Sequence, residues 1–206
     1  MAKLDYSEFG FIRVAAVSPE MVIGDPKANA IRILERVTEL AEQRVACAVF
    51  PELCLSGYSA EDLFFSDALL QSAANSIETL CKESTLPLLI VGAPWRLQDG
   101  RLLNVAVAIG GGRVLGMVPK TAQPNYGEFY DLRWFVPGAT INESVIHATL
   151  GNFQIRVDQL FAVDSVRVGI EICEDLWAPH SPATQAALAG AQILANLSAS
   201  NELVSK

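Results

Sequence analysis

At 206 residues, with 51% hydrophobic and 18% charged, the chain has the make-up of a single globular domain with a large core and not of a disordered segment. A formal net charge of -8 argues against a nucleic-acid or anionic-membrane partner, since both require a basic face. A small-molecule substrate suits that balance better.

The first ten residues interrupt their apolar positions with Lys3, Asp5 and Glu8, so they lack the core of a secretory signal. No apolar run is long enough to span a bilayer, and the expected home is the cytoplasm. Cys47, Cys54, Cys81 and Cys173 show no CxxC or zinc spacing, and His147 and His180 stand apart from them. Neither a metal centre nor a disulfide framework is expected.

Residues 11–17 read as a buried strand. Asp25 then caps a helix running to about Gln43, with Pro26 at its first position and Ile31, Leu34, Val37 and Ala41 on one face. Residues 45–50 form a second strand that delivers Glu52. A loop through Gly57 leads to a helix over residues 66–82, and residues 86–92 form a third strand. Two apolar runs within 103–118 flank Gly110, Gly111 and Gly112, the pattern of a hairpin. A phosphate cradle is the weaker reading of these glycines, because no Lys-Ser pair or helix follows. Lys120 closes the second run.

Residues 119–143 are aromatic and irregular, which points to packing or binding. Strands follow at 153–157 and 166–172, the second delivering Cys173, then a helix at 181–191 and a strand at 192–197. Strand-like runs alternating with amphipathic stretches are the mark of an α/β domain. The last residues, 201–206, carry no helix terminator or closing element, so a C-terminally truncated domain is expected.

Alternation along 166–173 places Arg167, Gly169, Glu171 and Cys173 opposite Val166, Val168, Ile170 and Ile172. Cys173 is therefore expected to point away from the strand's hydrophobic side. Glu171, Glu174 and Asp175 lie within two residues of it and would raise its pKa, so a reactive thiol needs a base and a cation from elsewhere. Glu52 and Lys120 are the candidates, each following a strand-like run. Sites in α/β sheets gather at the carboxyl ends of strands.

The segments around Glu52 (Phe-Pro-Glu), Lys120 (Val-Pro-Lys) and Cys173 (Glu-Ile-Cys-Glu-Asp) resemble the three motifs of the nitrilase, or carbon-nitrogen hydrolase, superfamily. More narrowly, residues 50–59 (FPELCLSGYS), 124–138 (PNYGEFYDLRWFVPG), 171–179 (EICEDLWAP) and 195–203 (ANLSASNEL) are similar to the glutaminase domains of the glutamine-dependent NAD synthetase family. The likeness implies an αββα sandwich carrying a Glu-Lys-Cys triad. Cys173 would attack the side-chain amide of L-glutamine, with Glu52 as general base and Lys120 holding the oxyanion. It further implies that Tyr126, Phe129, Glu174, Trp177, Ser200 and Lys206 contact the substrate.

The resemblance also implies a homo-oligomer, no cofactor for amide hydrolysis, and ATP and magnesium only for a synthetase domain. That domain's Ser-Gly-Gly-x-Asp-Ser loop does not occur here, so the chain alone is not expected to make NAD. Asp131 stands where nitrilases usually carry a second glutamate, and the shorter arm puts the positioning of Lys120 in question. Two further readings stay open: a free-standing nitrilase-type amidase on another small amide, and an inactive truncated subunit.

Overall fold

The computed structural model describes residues 9–201 and Val204. In chain order these hold β1 (Val14–Ala16), α1 (Pro26–Glu42), β2 (Cys47–Val49), α2 (Asp67–Glu83), β3 (Leu88–Arg96), β4 (Leu102–Gly110) and β5 (Arg113–Pro119). They continue with β6 (Asn142–His147), β7 (Gly151–Arg156), β8 (Leu160–Val163), β9 (Val166–Ile172), α3 (Pro182–Leu188) and β10 (Ile193–Leu197). One sheet has the order β1-β2-β3-β4-β5-β7-β6, the other β10-β9-β8.

The central strands are apolar on both faces, and their alternation sorts side chains between two cores. Leu89, Val91 and Ala93 of β3, with Leu103, Val105, Val107 and Ile109 of β4, pack with Ile33 and Val37 of α1 and Ile77 and Leu80 of α2. The intervening Leu88, Ile90, Ala106 and Ala108 pack instead with Phe161, Val168, Ile170 and Leu197 of the second sheet. On the far side of that sheet, Gly169 leaves room for α3: a Cβ there would lie 2.5 Å from that of Ala186. Helix, sheet, sheet and helix are thus stacked, which is the expected αββα sandwich.

Strand direction brings the functional loops to one end. β1, β2 and β3 are parallel, while β4 is antiparallel to both β3 and β5, so β5 runs with β2. β9 and β10 are parallel to each other in the second sheet. The hairpin at Gly111 and Gly112 is a two-residue turn with φ of 57° and 76°, values that glycine adopts without strain.

Several expectations need correction. The first strand is confined to Val14–Ala16 and is not buried: it is the terminal strand of the described sheet, and Phe11 is 66% exposed. On α1, Asp25 caps by accepting from Ala28 N–H, and Leu34, Val37 and Ala41 do pack inward, but Ile31 is exposed. The inner face is shifted to carry Asn29, whose buried amide bonds Val22 and Leu55 backbone groups. Strands β6 and β8 were not foreseen, since their alternation is weak and half exposed.

Candidate active site

Glu52 follows β2 through Phe50 and Pro51 in a turn whose next residue, Leu53, has a φ of 49°. The turn lies directly on the backbone of β3 at Gly92, where a Cβ would come within 2.2 Å of Leu53 N and 2.5 Å of Pro51 O. Glu52 is 1% exposed, and both carboxylate oxygens are bonded. Oε1 accepts from Lys120 Nζ at 2.6 Å and Asn104 Nδ2 at 2.7 Å; Oε2 accepts from the Ala199 N–H at 3.2 Å.

Lys120 leaves β5 fully buried, its backbone N–H donating to Asn104 O. Its ammonium also reaches Asp131 Oδ2 at 3.2 Å, and Asp131 Oδ1 accepts from Tyr58 Oη at 2.8 Å. Asp131 is therefore long enough to engage Lys120. Burial pulls the ammonium pKa down, but Glu52 and Asp131 outweigh it and hold Lys120 in its charged form. Burial pushes Glu52 up, and Lys120 and Asn104 only partly offset this. A carboxylate so placed is drawn toward the range a general base needs.

Cys173 does not continue the alternation of β9. The strand ends at Ile172, Cys173 takes a φ of 46° and opens a 3-10 turn, Cys173–Trp177, and its side chain packs against the core between the sheets. It does not point away from the hydrophobic side. It is half-buried, whereas Cys47, Cys54 and Cys81 are buried and their thiols are pushed by burial to about 11, about 12 and about 11.

The source of the Cys173 shift also differs from expectation. Burial raises the thiol, and Glu52, not the neighbouring acids, is the charge that raises it further. Glu171 is turned to Ser181, the Ala183 N–H and Asn196, and Glu174 accepts from Tyr126 Oη. Lys120, the Ser198 hydroxyl at 3.3 Å and the Ala199 N–H pull the thiol back down. Ala199 thus joins Glu52 and Cys173, since the same amide bonds Glu52 Oε2.

Asp175 fixes the Cys173 turn to the Lys120 loop. Buried in full, it accepts from the Thr121 and Ala122 N–H groups and the Thr121 hydroxyl through Oδ1, and from the Ile172 N–H through Oδ2. Asp175→Ala removes the acceptor of the buried Ile172 N–H and of the part-buried Thr121 and Ala122 donors and is expected to cost about 1–3 kcal/mol, while letting the Cys173 and Lys120 loops separate. Urea denaturation compared with turnover checks this, because turnover should fall further than the fraction folded.

Of the expected substrate contacts, Tyr126 and Phe129 meet edge to face at 6.0 Å beside Glu174, and Trp177 is 75% exposed. Ser200 bonds Ser198 at 2.8 Å, next to the thiol's partner. Lys206 lies outside the described residues. Among those residues no group of three or more His, Cys, Asp or Glu could hold a metal ion. None of the described helices is long and apolar enough to cross a membrane.

The site therefore sets a buried acid-amine pair beside a half-exposed thiol, between two sheets. Residues 13–205 match the carbon-nitrogen hydrolase family, and the chain belongs to it. Within that family it is 43% identical over 198 residues to the glutamine-dependent NAD(+) synthetase of Mycobacterium tuberculosis, covering 94% of this chain and 29% of that protein. The enzyme of the same name from Thermotoga maritima is 29% identical over 196 residues, with 95% and 31% covered. Among solved structures, a glutamine-dependent NAD(+) synthetase from Cytophaga hutchinsonii superposes with a TM-score of 0.83 at 27% identity, over 95% of this chain and 32% of that one. The chain therefore spans about three-tenths of the length of the relatives it matches.

Proposed function

We propose that the chain is a glutaminase: it hydrolyses the side-chain amide of L-glutamine and supplies the ammonia for ATP-dependent amidation of nicotinate adenine dinucleotide. The reading is carried by the buried 2.6 Å contact of Glu52 with Lys120, both of them coupled electrostatically to Cys173. Similarity to glutamine-dependent NAD(+) synthetases supports the choice of glutamine.

In this reading the Cys173 thiol gives its proton to Glu52 as sulfur bonds to the amide carbon, and Lys120 stabilises the oxyanion. Glu52 returns the proton to the departing nitrogen; the C–N bond breaks, leaving a thioester and free ammonia. Glu52 then takes a proton from water, whose oxygen attacks the thioester carbon, and the thiolate leaves to be reprotonated. Glutamate is the second product. Glu174 meets the substrate's ammonium, Tyr126, Phe129 and Trp177 line the pocket, and Ser200 and Lys206 hold the carboxylate end. ATP and magnesium serve the synthetase half-reaction in a separate domain, and a cytoplasmic homo-oligomer is the proposed setting.

Ammonia released from glutamine by the purified chain, with Cys173→Ala as the blank, tests this. Release from glutamine well above that from other small amides, and none from the blank, is the expected result. A folded chain that spares glutamine but cleaves other amides is instead a general amidase, and one that cleaves nothing is a non-catalytic subunit.

A further inference from the structure

Strand β4 is buried along its whole length and apolar except at Asn104, which is 1% exposed. Its side-chain nitrogen donates to Glu52 Oε1, and its side-chain oxygen Oδ1, equally buried, has no hydrogen-bond partner among the described residues. Leaving a buried acceptor unpaired works against the fold, and a residue of leucine's size would fill the space without that penalty. What the side-chain amide supplies in return is one donor to Glu52; the Lys120 N–H bonds the backbone carbonyl at 2.9 Å, which any residue at this position would provide.

The two oxygens of Glu52 are consequently unlike. Oε1 carries two donors, one of them charged; among the described residues Oε2 carries only the Ala199 amide, on the side shared with Cys173. An oxygen already holding two short hydrogen bonds is the poorer proton acceptor. We infer that Asn104 is a positioning residue that, with Lys120, saturates Glu52 Oε1 and so directs proton uptake from Cys173 to Oε2. The inference rests on the amide-hydrolase reading and adds which atom moves the proton and which neighbour selects it.

Besides burial, the groups that set the titration of Glu52 are Lys120 and Asp131 from the loops after β5 and Asn104 of β4; Tyr58 after β2 and Cys173 after β9 are titratable neighbours that Glu52 itself raises. Asn104 is the uncharged member of this set, and it bonds the ionised form, so its removal must raise the Glu52 pKa. Two variants read this out. Asn104→Leu removes the donor and the orphan oxygen together; Asn104→Asp keeps the shape and adds a like charge.

Iodoacetamide alkylation of Cys173 in the 206-residue chain is followed against pH, the inflection missing from Glu52→Gln being that of Glu52. In Asn104→Leu this inflection is expected to move up by about one pH unit, the size of one lost hydrogen bond to a charged acceptor, and at least as far in Asn104→Asp. On glutamine, kcat is expected to fall about 10- to 100-fold with KM within about twofold, because Asn104 does not touch the substrate. Should Asn104→Leu not fold, Asn104→Asp decides by the same inflection. An unmoved inflection in a folded variant overturns the inference. A wild-type chain that releases no ammonia while the inflection still moves removes the glutaminase reading and leaves the role of Asn104 standing.

Discussion

Replacing Lys120 with methionine is expected to lower ammonia release at least about 10²- to 10³-fold and to cost about 3–5 kcal/mol of stability at neutral pH. Both effects come from one geometry. The ammonium is completely buried between Glu52 and Asp131, and nothing exposed to water screens the three charges. Removing the cation leaves two carboxylates facing each other in the core, and Asp131 already raises Glu52 with the ammonium in place. Methionine fills much of the volume, so a cavity is a minor part of the loss.

The pH dependence separates this cause from simple loss of packing. Without Lys120, Glu52 sits further above its unfolded pKa, and a carboxyl raised in the folded state stabilises below its unfolded pKa and loses that contribution as pH rises through the folded value. The stability deficit of Lys120→Met should therefore shrink at pH 5 and widen at pH 8. Urea midpoints at the two pH values measure it. A deficit equal at both would mean that packing, not charge, holds the site together.

How much of this was legible beforehand follows from what each residue leaves in the sequence. Glu52 and Lys120 interrupt apolar runs at strand ends, and a charge there is visible by pattern alone. β9 ends at Ile172, and the facing that alternation predicts for Cys173 fails there, because a period of two holds only while the backbone stays extended and Cys173 enters a left-handed turn. The three nearby acids looked like the thiol's electrostatic environment. Asp175 and Glu171 are instead spent on backbone and side-chain donors, and the charge that matters comes from Glu52, more than a hundred residues earlier.

Asn104 did leave a signal, a lone amide inside the run Leu102–Gly110, but only the register of β4 against β3 and β5 shows that it faces Glu52. Ser198 and Ala199 left less. Their part depends on β10 running parallel to β9, which carries a serine hydroxyl and a backbone N–H past the end of the sheet to the sulfur. An amide N–H has no residue identity to read.

Glu52→Gln should lower turnover about 10²–10⁴-fold while making Cys173 more, not less, reactive toward iodoacetamide at neutral pH. The two directions follow from opposite roles of one carboxylate. In the proposed role of base it has no substitute, because no other described carboxylate bonds the amide shared with the thiol. As a resting charge it holds the thiol protonated, being second only to burial among the causes that raise it. Glutamine keeps the shape and can still accept from Lys120 and Asn104, but its Nε2 then meets the Ala199 N–H as donor against donor, a cost of about 1–3 kcal/mol. With the negative charge gone, Lys120, Ser198 and the Ala199 amide act on the thiol unopposed by Glu52, so the alkylation profile moves to lower pH. Loss of both turnover and alkylation would mean a disordered site, and retained turnover would remove Glu52 from the chemistry altogether.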